Sequence, residues 1–314
     1  MRIAIIGPGA MGSLFAAHLS RAGNQVWLLD RDPRRARLIA RRGIRVEGIS
    51  GTFAAPVSSV ASGFSLRQVP DLTLVLVKAC DTTAAARQWQ ALLRRSPIVI
   101  TLQNGIGNIE ILQRVAGDRV IGGTTAQGAT LLAPGRVHHA GAGITIIGEP
   151  SSRITPRLRS VSALLQQAGL PARVTRDLQR VTWEKLIVNC AVNALGAITR
   201  LPNGALVEHP GARNLLRAAA REAAEVARAV GIRIGNADPA RKVEKGCRAT
   251  ATNLNSMLQD VLRCKRTEIE QINGAVVQAG ESVGIPTPVN KVLTELIRAI
   301  ESSYPHQVSV LPAG

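Results

Sequence analysis

Three polar side chains recur every four residues in a mostly apolar stretch of the sequence. Lys185, Asn189 and Asn193 occupy positions i, i+4 and i+8 of residues 183–193, so a helix would present them on one face. Composition alone leaves open whether this face is a solvated stripe or a row that faces a ligand. A partly desolvated lysine has a lowered pKa and can donate a proton to a developing alkoxide. The spacing therefore indicates a candidate proton donor flanked by two amides.

A glycine-rich segment near the N-terminus has the spacing of a dinucleotide-binding turn, Gly7-Pro8-Gly9-Ala10-Met11-Gly12. Its first glycine permits the turn, its second permits close approach of a pyrophosphate, and its third lets the following helix pack. Backbone N–H groups and the helix dipole would hold the anion. The segment follows a strand-like run and opens a helical one. This context predicts dinucleotide binding, with an ordinary tight turn as the alternative.

The second strand is predicted to end at Asp30 and Arg31. These two residues favour different cofactors. A carboxylate at this place binds the ribose 2′-hydroxyl of NAD, whereas a guanidinium binds the 2′-phosphate of NADP. The next basic residues, Arg34, Arg35 and Arg37, are equally well explained as a solvated helix face. The Asp30 side chain could also pair with Arg31, Arg34 or Arg35, which would cancel its repulsion of a phosphate.

A second polar row runs from Ser256 to Glu270. Asp260 and Glu268 share a helix face only if one helix continues unbroken across both residues. Carboxylates in an arginine-rich chain usually form surface ion pairs. Composition alone therefore favours a surface role for both.

The elements that would position these residues change in kind along the chain. Residues 3–29 read as strand, glycine turn, helix and strand, and apolar runs at 72–77 and 98–102 alternate with a helix at 82–93. Glycines interrupt residues 120–148, which predicts antiparallel strands that close the sheet edge. Beyond Leu170 the periodicity is helical, in stretches at 180–199, 212–230, 243–261, 267–283 and 290–302. We expect an α/β N-terminal Rossmann-type domain over residues 1–172 and an all-α C-terminal domain over residues 173–314.

Length, net charge, apolar runs and cysteine content limit the class of protein to which the chain can belong. A chain of 314 residues with 46% apolar residues is long enough for two domains. The net charge of +18 comes from basic residues that are scattered along the chain, which argues against nucleic-acid binding. No run reaches the ~20 apolar residues that span a membrane. The four cysteines are spread along the chain, and their spacing suggests neither a metal site nor a disulfide framework. This favours the reducing cytoplasm. They are Cys80, Cys190, Cys247 and Cys264.

Together these motifs resemble the ketopantoate reductases (2-dehydropantoate 2-reductases), which make pantoate for coenzyme A synthesis with NADPH. The resemblance covers essentially the whole chain. It is carried by the glycine segment and by four further motifs at family-like spacings, which are Val77 to Thr82, Gln103 to Asn108, Trp183 to Asn193, and Ser256 to Asp260 leading into Arg266 to Ala275.

The resemblance implies roles for individual residues. Lys185 would be the proton donor, and Glu268 would organise the cofactor side of the site. Asn104 would lie where nicotinamide and substrate meet. The keto acid would be bound by Asn189, Asn193, Asn203 and Ser256, and the cofactor also by Lys78 and the backbone of Ala129. The use of NADPH by the family and the positive charge of Arg31 both favour NADPH over NADH.

The sequence departs from the family pattern in two places. Ala194-Leu195-Gly196-Ala197 stands where Pro-Leu-Thr-Ala is expected, and Cys264-Lys265 precedes Arg266 where Gly-Arg is more usual. Two alternatives follow, a D-2-hydroxyacid dehydrogenase for branched or aromatic 2-keto acids and a non-catalytic nicotinamide-sensing protein. The latter would not need Lys185 and Glu268. The expected partner is a small 2-keto acid, and the sequence leaves a homodimer open.

Overall fold

The computed structural model describes residues 1–61, 68–235 and 237–307. The chain divides into two compact units, of which the first comprises residues 1–103 and 107–181, and the second residues 104–106 and the chain from Thr182 onward. A domain boundary after residue 172 stays a prediction, because compactness does not show which segments fold independently.

The main sheet of the first unit has the strand order of a dinucleotide-binding fold. Its parallel part is formed by β1 (Arg2–Ile6), β2 (Gln25–Leu29), β5 (Ser58–Val60), β6 (Leu72–Val75), β7 (Val99–Thr101) and β8 (Val120–Thr125). Their spatial order is β5-β2-β1-β6-β7-β8. The strand order reverses between β1 and β6, and ligands bind at such switch points, outside the carboxyl ends of the strands. The glycine segment begins at this place, directly after β1.

Residues 120–148 form strands, but only part of this region closes the main sheet. β11 (Thr145–Gly148) pairs antiparallel with β8, and β12 (Ala172–Thr175) pairs with β11. The other two strands, β9 (Gly128–Ala133) and β10 (Arg136–Gly141), join β3 (Ile44–Gly48) and β4 (Phe53–Ala55) in a second sheet of order β4-β3-β10-β9. The expectation that the whole region closes one sheet edge was therefore wrong, since pairing of β3 with β10 bridges distant segments that local periodicity does not report.

Helices cover the strands of the first unit: α1 (Ala10–Arg21), α2 (Pro33–Arg42), α3 (Thr82–Gln88), α4 (Gln90–Arg95), α5 (Asn108–Ala116) and α6 (Pro156–Gln167). α1 contacts strands of both sheets, and its residues from Gly12 to Leu19 are buried. α2 begins at Pro33 because the Asp32 carboxylate accepts hydrogen bonds from the Arg34 and Arg35 amides. This cap fixes the backbone directly after β2.

The second unit is helical, and its elements are α7 (Leu178–Thr199), α8 (Ala205–Glu208), α9 (Pro210–Ala229), α10 (Pro239–Ala249), α11 (Ser256–Val261), α12 (Asn273–Val283) and α13 (Pro288–Ser303). α7 continues from the first unit into the second. α9 contacts α10, α12 and α13, and its buried alanines, such as Ala219 and Ala223, let the helices approach closely. The predicted α/β and all-α fold classes are both confirmed.

The expectation of one helix over residues 243–261 was wrong. α10 ends at Ala249 and α11 begins at Ser256. The intervening segment is rich in Thr and Asn, which favour caps and turns over helix interiors, and the Asn255 side chain caps α11 by accepting a hydrogen bond from the Leu258 amide at 2.9 Å. Because α11 ends at Val261, Asp260 and Glu268 do not share a continuous helix.

The described ranges contain neither a membrane-spanning helix nor a cluster of metal ligands. No helix there combines the length and the apolar character needed to cross a membrane. Nor do the His, Cys, Asp and Glu side chains of these ranges form a group of three or more that could hold a metal ion.

Candidate active site

The three glycines of the N-terminal segment each meet a different steric demand. Gly7 has φ +111°, and a Cβ there would lie 2.6 Å from the amide nitrogen of Val77. A Cβ on Gly12 would lie 1.9 Å from the carbonyl oxygen of Gly7. Gly9 is the opposite case, because a Cβ there would meet no atom within 4 Å. The first and third glycines are thus required by the fold, whereas the second keeps open space beside the start of α1.

This open space suits the pyrophosphate of a dinucleotide. α1 begins at Ala10, and no side chain caps its first turn. Its leading N–H groups and the positive end of the helix dipole therefore face a place with room for an anion. A pyrophosphate needs that combination of free amides and close backbone approach. The residues present fit the group.

Asp30 and Arg31 have different surroundings at the end of β2. The Asp30 carboxylate is buried and forms a two-point ion pair with Arg35, with Nε to Oδ2 and Nη2 to Oδ1 both at 2.5 Å. Of the three arginines that the sequence left open, Arg35 is the partner. Arg31 instead lies on the surface, with Nη1 3.7 Å from an Asp81 oxygen. Arg31 is exposed, and Asp30 is not.

A buried polar network fixes the loops that follow β6 and β7. The Gln103 amide donates to the Val77 carbonyl at 2.8 Å and to Thr82 Oγ1 at 2.7 Å, and Thr82 Oγ1 donates to Asn108 Oδ1 at 2.7 Å. Lys78 and Asn104 stand on these loops. The sequence motifs contained Gln103, Thr82 and Asn108, but their positioning role was missed because the bonds join residues more than twenty positions apart.

Asn104 meets Glu268 within the second unit. The Asn104 side-chain amide donates a hydrogen bond to Glu268 Oε2 at 3.0 Å. Gly105, with φ +80°, lies directly against Gln271, and an added Cβ there would be 2.2 Å from the Gln271 carbonyl oxygen. The Ile106 amide donates a hydrogen bond to the same oxygen at 3.2 Å. Only glycine permits this approach. The structure thus brings two residues implied by the family resemblance into direct contact.

Lys185 lies on α7 in the electrostatic field of the same carboxylate. Burial lowers the pKa of the Lys185 ammonium to about 8, although the negative charge of Glu268 acts in the opposite direction. A lysine with a pKa near neutrality can exchange a proton under physiological conditions. Lys185, Glu268 and Asn104 therefore form one group with the electrostatics of a proton-transfer site.

Asn189 and Asn193 continue the row along α7. Asn193 is 5% exposed, and Asn189 is partly buried. Within the described ranges, neither side-chain amide has a hydrogen-bond partner in the protein. Neither residue is among the buried polar atoms that lack a partner in the described ranges, so both amides retain some access to solvent, and this suits the binding of a polar ligand beside Lys185.

The other residues implied for the substrate lie near the start of α11. Ser256 is exposed and is the first residue of that helix. The Asn203 amide donates to Thr250 Oγ1 at 3.0 Å, while Asn203 Oδ1 is buried without a partner in the described ranges. The described contacts place neither side chain in the group around Lys185. Both remain candidates by resemblance.

Gly196, in the first departure from the family pattern, has a packing role. A Cβ on Gly196 would lie 2.2 Å from Asn255 Nδ2, and Asn255 is the residue that caps α11. Asn255 also donates to the Val192 carbonyl at 3.4 Å. The glycine therefore lets the start of α11, with Ser256, pack against α7.

Asn273 is a further positioning residue that residue types alone did not single out. Its buried amide donates to the Cys190 carbonyl of α7 at 2.8 Å and to Asn290 Oδ1 at 3.0 Å. Asn290 in turn donates to Glu222 Oε2 at 2.7 Å. This network fixes α7 against α12 and α13. Its signal in the sequence was the Ile272-Asn273-Gly274-Ala275 motif.

The remaining cofactor candidates lie in the first unit. Ala129 is on β9, where it pairs with His139 of β10, and Lys78 precedes the short turn at Ala79–Asp81. Arg31 and the glycine segment belong to the same unit. Their roles toward a cofactor stay predictions.

Comparison with protein families gives two matches that together span most of the chain. Residues 3–152 match the model described as "Ketopantoate reductase PanE/ApbA", and residues 177–301 match the model described as "Ketopantoate reductase PanE/ApbA C terminal".

Individual proteins agree with these matches. A 2-dehydropantoate 2-reductase of Archaeoglobus fulgidus is 38% identical over 301 residues, which are 96% of this chain and 98% of the relative. A PanE/ApbA family ketopantoate reductase from Ralstonia eutropha JMP134 has a crystal structure with a TM-score of 0.89 at 34% identity, covering 98% of this chain and all of the other. D-mandelate dehydrogenase, in a structure with NADH and anilino(oxo)acetate, has a TM-score of 0.91 at 27% identity, with 98% and 100% covered.

Proposed function

The chain belongs to the ketopantoate reductase family, and from this membership we propose that it reduces 2-dehydropantoate to (R)-pantoate with NADPH, in the route to coenzyme A. The observation that carries the proposal is the group formed by Lys185, Glu268 and Asn104. A protein that only senses a nicotinamide nucleotide has no need of a lysine whose pKa is tuned for proton transfer. This argues against the non-catalytic alternative.

In the proposed reaction Lys185 supplies the proton. When bound, the reduced nicotinamide supplies a hydride to C2 of the keto acid. The carbonyl electron pair moves to the oxygen, and the Lys185 ammonium gives its proton to that oxygen as the negative charge develops. The lysine is left neutral and regains a proton from water. With a pKa of about 8, the ammonium is a far stronger acid than that of an ordinary lysine.

Glu268 has two roles in this proposal. Its carboxylate raises the pKa of Lys185 above the value that burial alone would set, so the lysine remains mostly protonated at neutral pH. Its Oε2 also accepts the hydrogen bond that orients Asn104. Asn104 then presents its amide where substrate and nicotinamide would meet. Asn189, Asn193, Asn203 and Ser256 would bind the polar groups of the keto acid.

We expect the pH dependence of the reduction to follow the ionisation of the Lys185 ammonium. Because the proton donor is the ammonium, kcat/KM should be flat below pH 8 and fall about tenfold for each pH unit above it. In Glu268→Gln the pKa of Lys185 should decrease, because the charge that raises it is lost, so the fall should begin at lower pH. Steady-state assays across pH 6 to 10 measure this. A profile in Glu268→Gln that breaks at the same or a higher pH would contradict the assignment.

The cofactor is proposed to be NADPH, bound by the glycine segment with Arg31, Lys78 and the backbone of Ala129. Arg31 is exposed, and its ion pair with Asp81 is long, so it is free to contact a 2′-phosphate at little cost. A charge-assisted contact of this kind favours the phosphorylated cofactor by roughly tenfold to hundredfold. We expect Arg31→Ala to lower kcat/KM for NADPH and to leave that for NADH nearly unchanged. Preference for NADH in the parent protein would contradict the NADPH proposal.

A second candidate is a D-2-hydroxyacid dehydrogenase for branched or aromatic substrates. The similarity to D-mandelate dehydrogenase favours it, and so does the sequence Ala194-Leu195-Gly196-Ala197, which lacks the family's proline and threonine. A screen of about a dozen 2-keto acids, with both cofactors, separates the candidates. The proposal requires the highest kcat/KM for 2-dehydropantoate with (R)-pantoate as product. Preference for phenylglyoxylate would establish the second candidate.

We further propose that the protein acts in the cytoplasm, on a small molecule and without nucleic acid. The scattered cysteines and basic residues of the sequence support this proposal. A homodimer is the oligomeric state to test. Sedimentation at micromolar concentration would measure it.

A further inference from the structure

The residue after β2 presents a contradiction for a protein proposed to use NADPH. β2 ends at Leu29, and Asp30 follows directly. In dinucleotide-binding folds an acidic residue in this region binds the ribose 2′-hydroxyl of NAD. A carboxylate aimed at the 2′ position would repel a phosphate there. If Asp30 faced the ribose, NADH should be favoured.

The structure shows that Asp30 is fully engaged inside the protein. Its side chain has no exposed surface, and Arg35 contacts both carboxylate oxygens at 2.5 Å. Oδ1 also accepts a hydrogen bond from the Asp32 amide at 2.9 Å. Arg35 therefore neutralises the carboxylate and fixes its orientation, and a two-point pair of this kind is among the strongest that side chains form.

The local sequence makes this pair possible. Asp32 caps α2 and Pro33 occupies its first position, so Arg35 lies in the first turn of the helix. A cation in the first turn faces the positive end of the helix dipole and is unfavourable there without an acidic partner. Asp30 supplies that partner from the end of the strand. Arg34 and Arg37 on the same helix are exposed.

We propose that Arg35 determines the choice of dinucleotide by acting through Asp30. It sequesters the carboxylate that would otherwise face the ribose, so the 2′ position is left to Arg31 and can accept a phosphate. Arg35 is thus a positioning residue for cofactor specificity and does not itself contact the cofactor. The inference rests on the proposed use of NADPH.

The test is a double-mutant cycle on cofactor binding. Calorimetric titration of the cofactor-free protein with NADPH and with NADH gives two values of Kd for the parent, Arg35→Ala, Asp30→Ala and the double variant. In Arg35→Ala the released carboxylate should weaken NADPH binding by roughly tenfold to hundredfold, with a change of less than about threefold for NADH. Removing Asp30 as well should restore most of the NADPH affinity.

Controls separate this role from simpler ones. Arg37→Ala removes the same charge from an exposed position of α2 and should alter neither Kd by more than about twofold. Thermal unfolding of each variant shows whether the unit remains folded. If the double variant binds NADPH as weakly as Arg35→Ala, Arg35 contacts the phosphate directly and the proposal is wrong. If Arg35→Ala leaves the ratio of the two Kd values unchanged, the ion pair has no part in specificity.

The same titrations measure the cofactor preference and the role of Arg35 separately. The ratio of Kd values in the parent protein tests the preference for NADPH. The change in that ratio between Arg35→Ala and the double variant tests the role of Arg35, whichever cofactor the parent prefers.

Discussion

Replacement of Lys185 by alanine is expected to lower kcat for 2-dehydropantoate reduction by roughly 10²–10⁴-fold, the usual contribution of a positioned general acid. In the proposed reaction the alkoxide at C2 gains its proton from the Lys185 ammonium, whose pKa burial lowers to about 8. The Kd for NADPH should stay close to that of the parent, because the glycine segment belongs to the other unit. Kinetics and calorimetric titration measure the two quantities.

A matched control is available in the same unit. Lys242 is exposed and forms a surface ion pair with Glu184 at 3.0 Å, so Lys242→Ala removes one lysine charge without entering the proposed site. We expect its kcat to stay within about twofold of the parent, because the substitution should leave the free energy of unfolding nearly unchanged and removes no interaction made in the transition state. A folded Lys185→Ala protein with near-parent turnover would remove Lys185 from the mechanism.

Substitution of Gly9 by alanine is expected to weaken NADPH binding by roughly tenfold to hundredfold while leaving the fold intact. The backbone at Gly9 has φ −73° and ψ −170°, which alanine adopts without strain, and the added methyl meets no protein atom within 4 Å. The methyl would instead occupy the space through which, in the proposed binding mode, the pyrophosphate would reach the amides at the start of α1. Loss of those charge-assisted hydrogen bonds sets the magnitude.

Gly12→Ala serves as the contrasting variant. Its Cβ would lie 1.9 Å from the Gly7 carbonyl oxygen, so the turn must shift and the free energy of unfolding should decrease. Gly9→Ala should keep its free energy of unfolding within about 0.5 kcal/mol of the parent. Chemical denaturation of both proteins, together with NADPH titration of Gly9→Ala, checks this. If Gly9→Ala binds NADPH as tightly as the parent does, the space beside α1 is not the pyrophosphate site.

Elements with strong local signals were predictable from the sequence. The βαβ opening and α7 follow from apolar periodicity and glycine spacing, and the structure confirms them. The second sheet was not predictable in this way, because β3 and β10 are separated by about ninety residues. The break between α10 and α11 had a local signal in its Thr and Asn residues, but the periodicity on either side concealed it.

In the candidate site, too, features set by neighbouring residues were predictable, whereas contacts between residues far apart in the sequence were not. The row from Lys185 to Asn193 could be read from its spacing. The hydrogen bond between Asn104 and Glu268 spans 164 residues and was not predicted, because the family resemblance implied a role for each residue but no contact between them. The charge of Asp30 was visible in the sequence, but its partner was one of three arginines until the geometry of α2 selected Arg35. Short-range patterns predict elements, and tertiary packing decides which charges are neutralised.

Direct titration shows whether the pKa of Lys185 is lowered enough for this lysine to transfer a proton near neutral pH. The chain has only six lysines, so the ¹³Cε signals of a lysine-labelled sample can be followed by NMR across pH 6 to 11, and Lys185→Arg assigns the signal. We expect a midpoint at about pH 8 for Lys185 and a lower midpoint in Glu268→Gln. A midpoint near the ordinary lysine value of about 10.4 would contradict it.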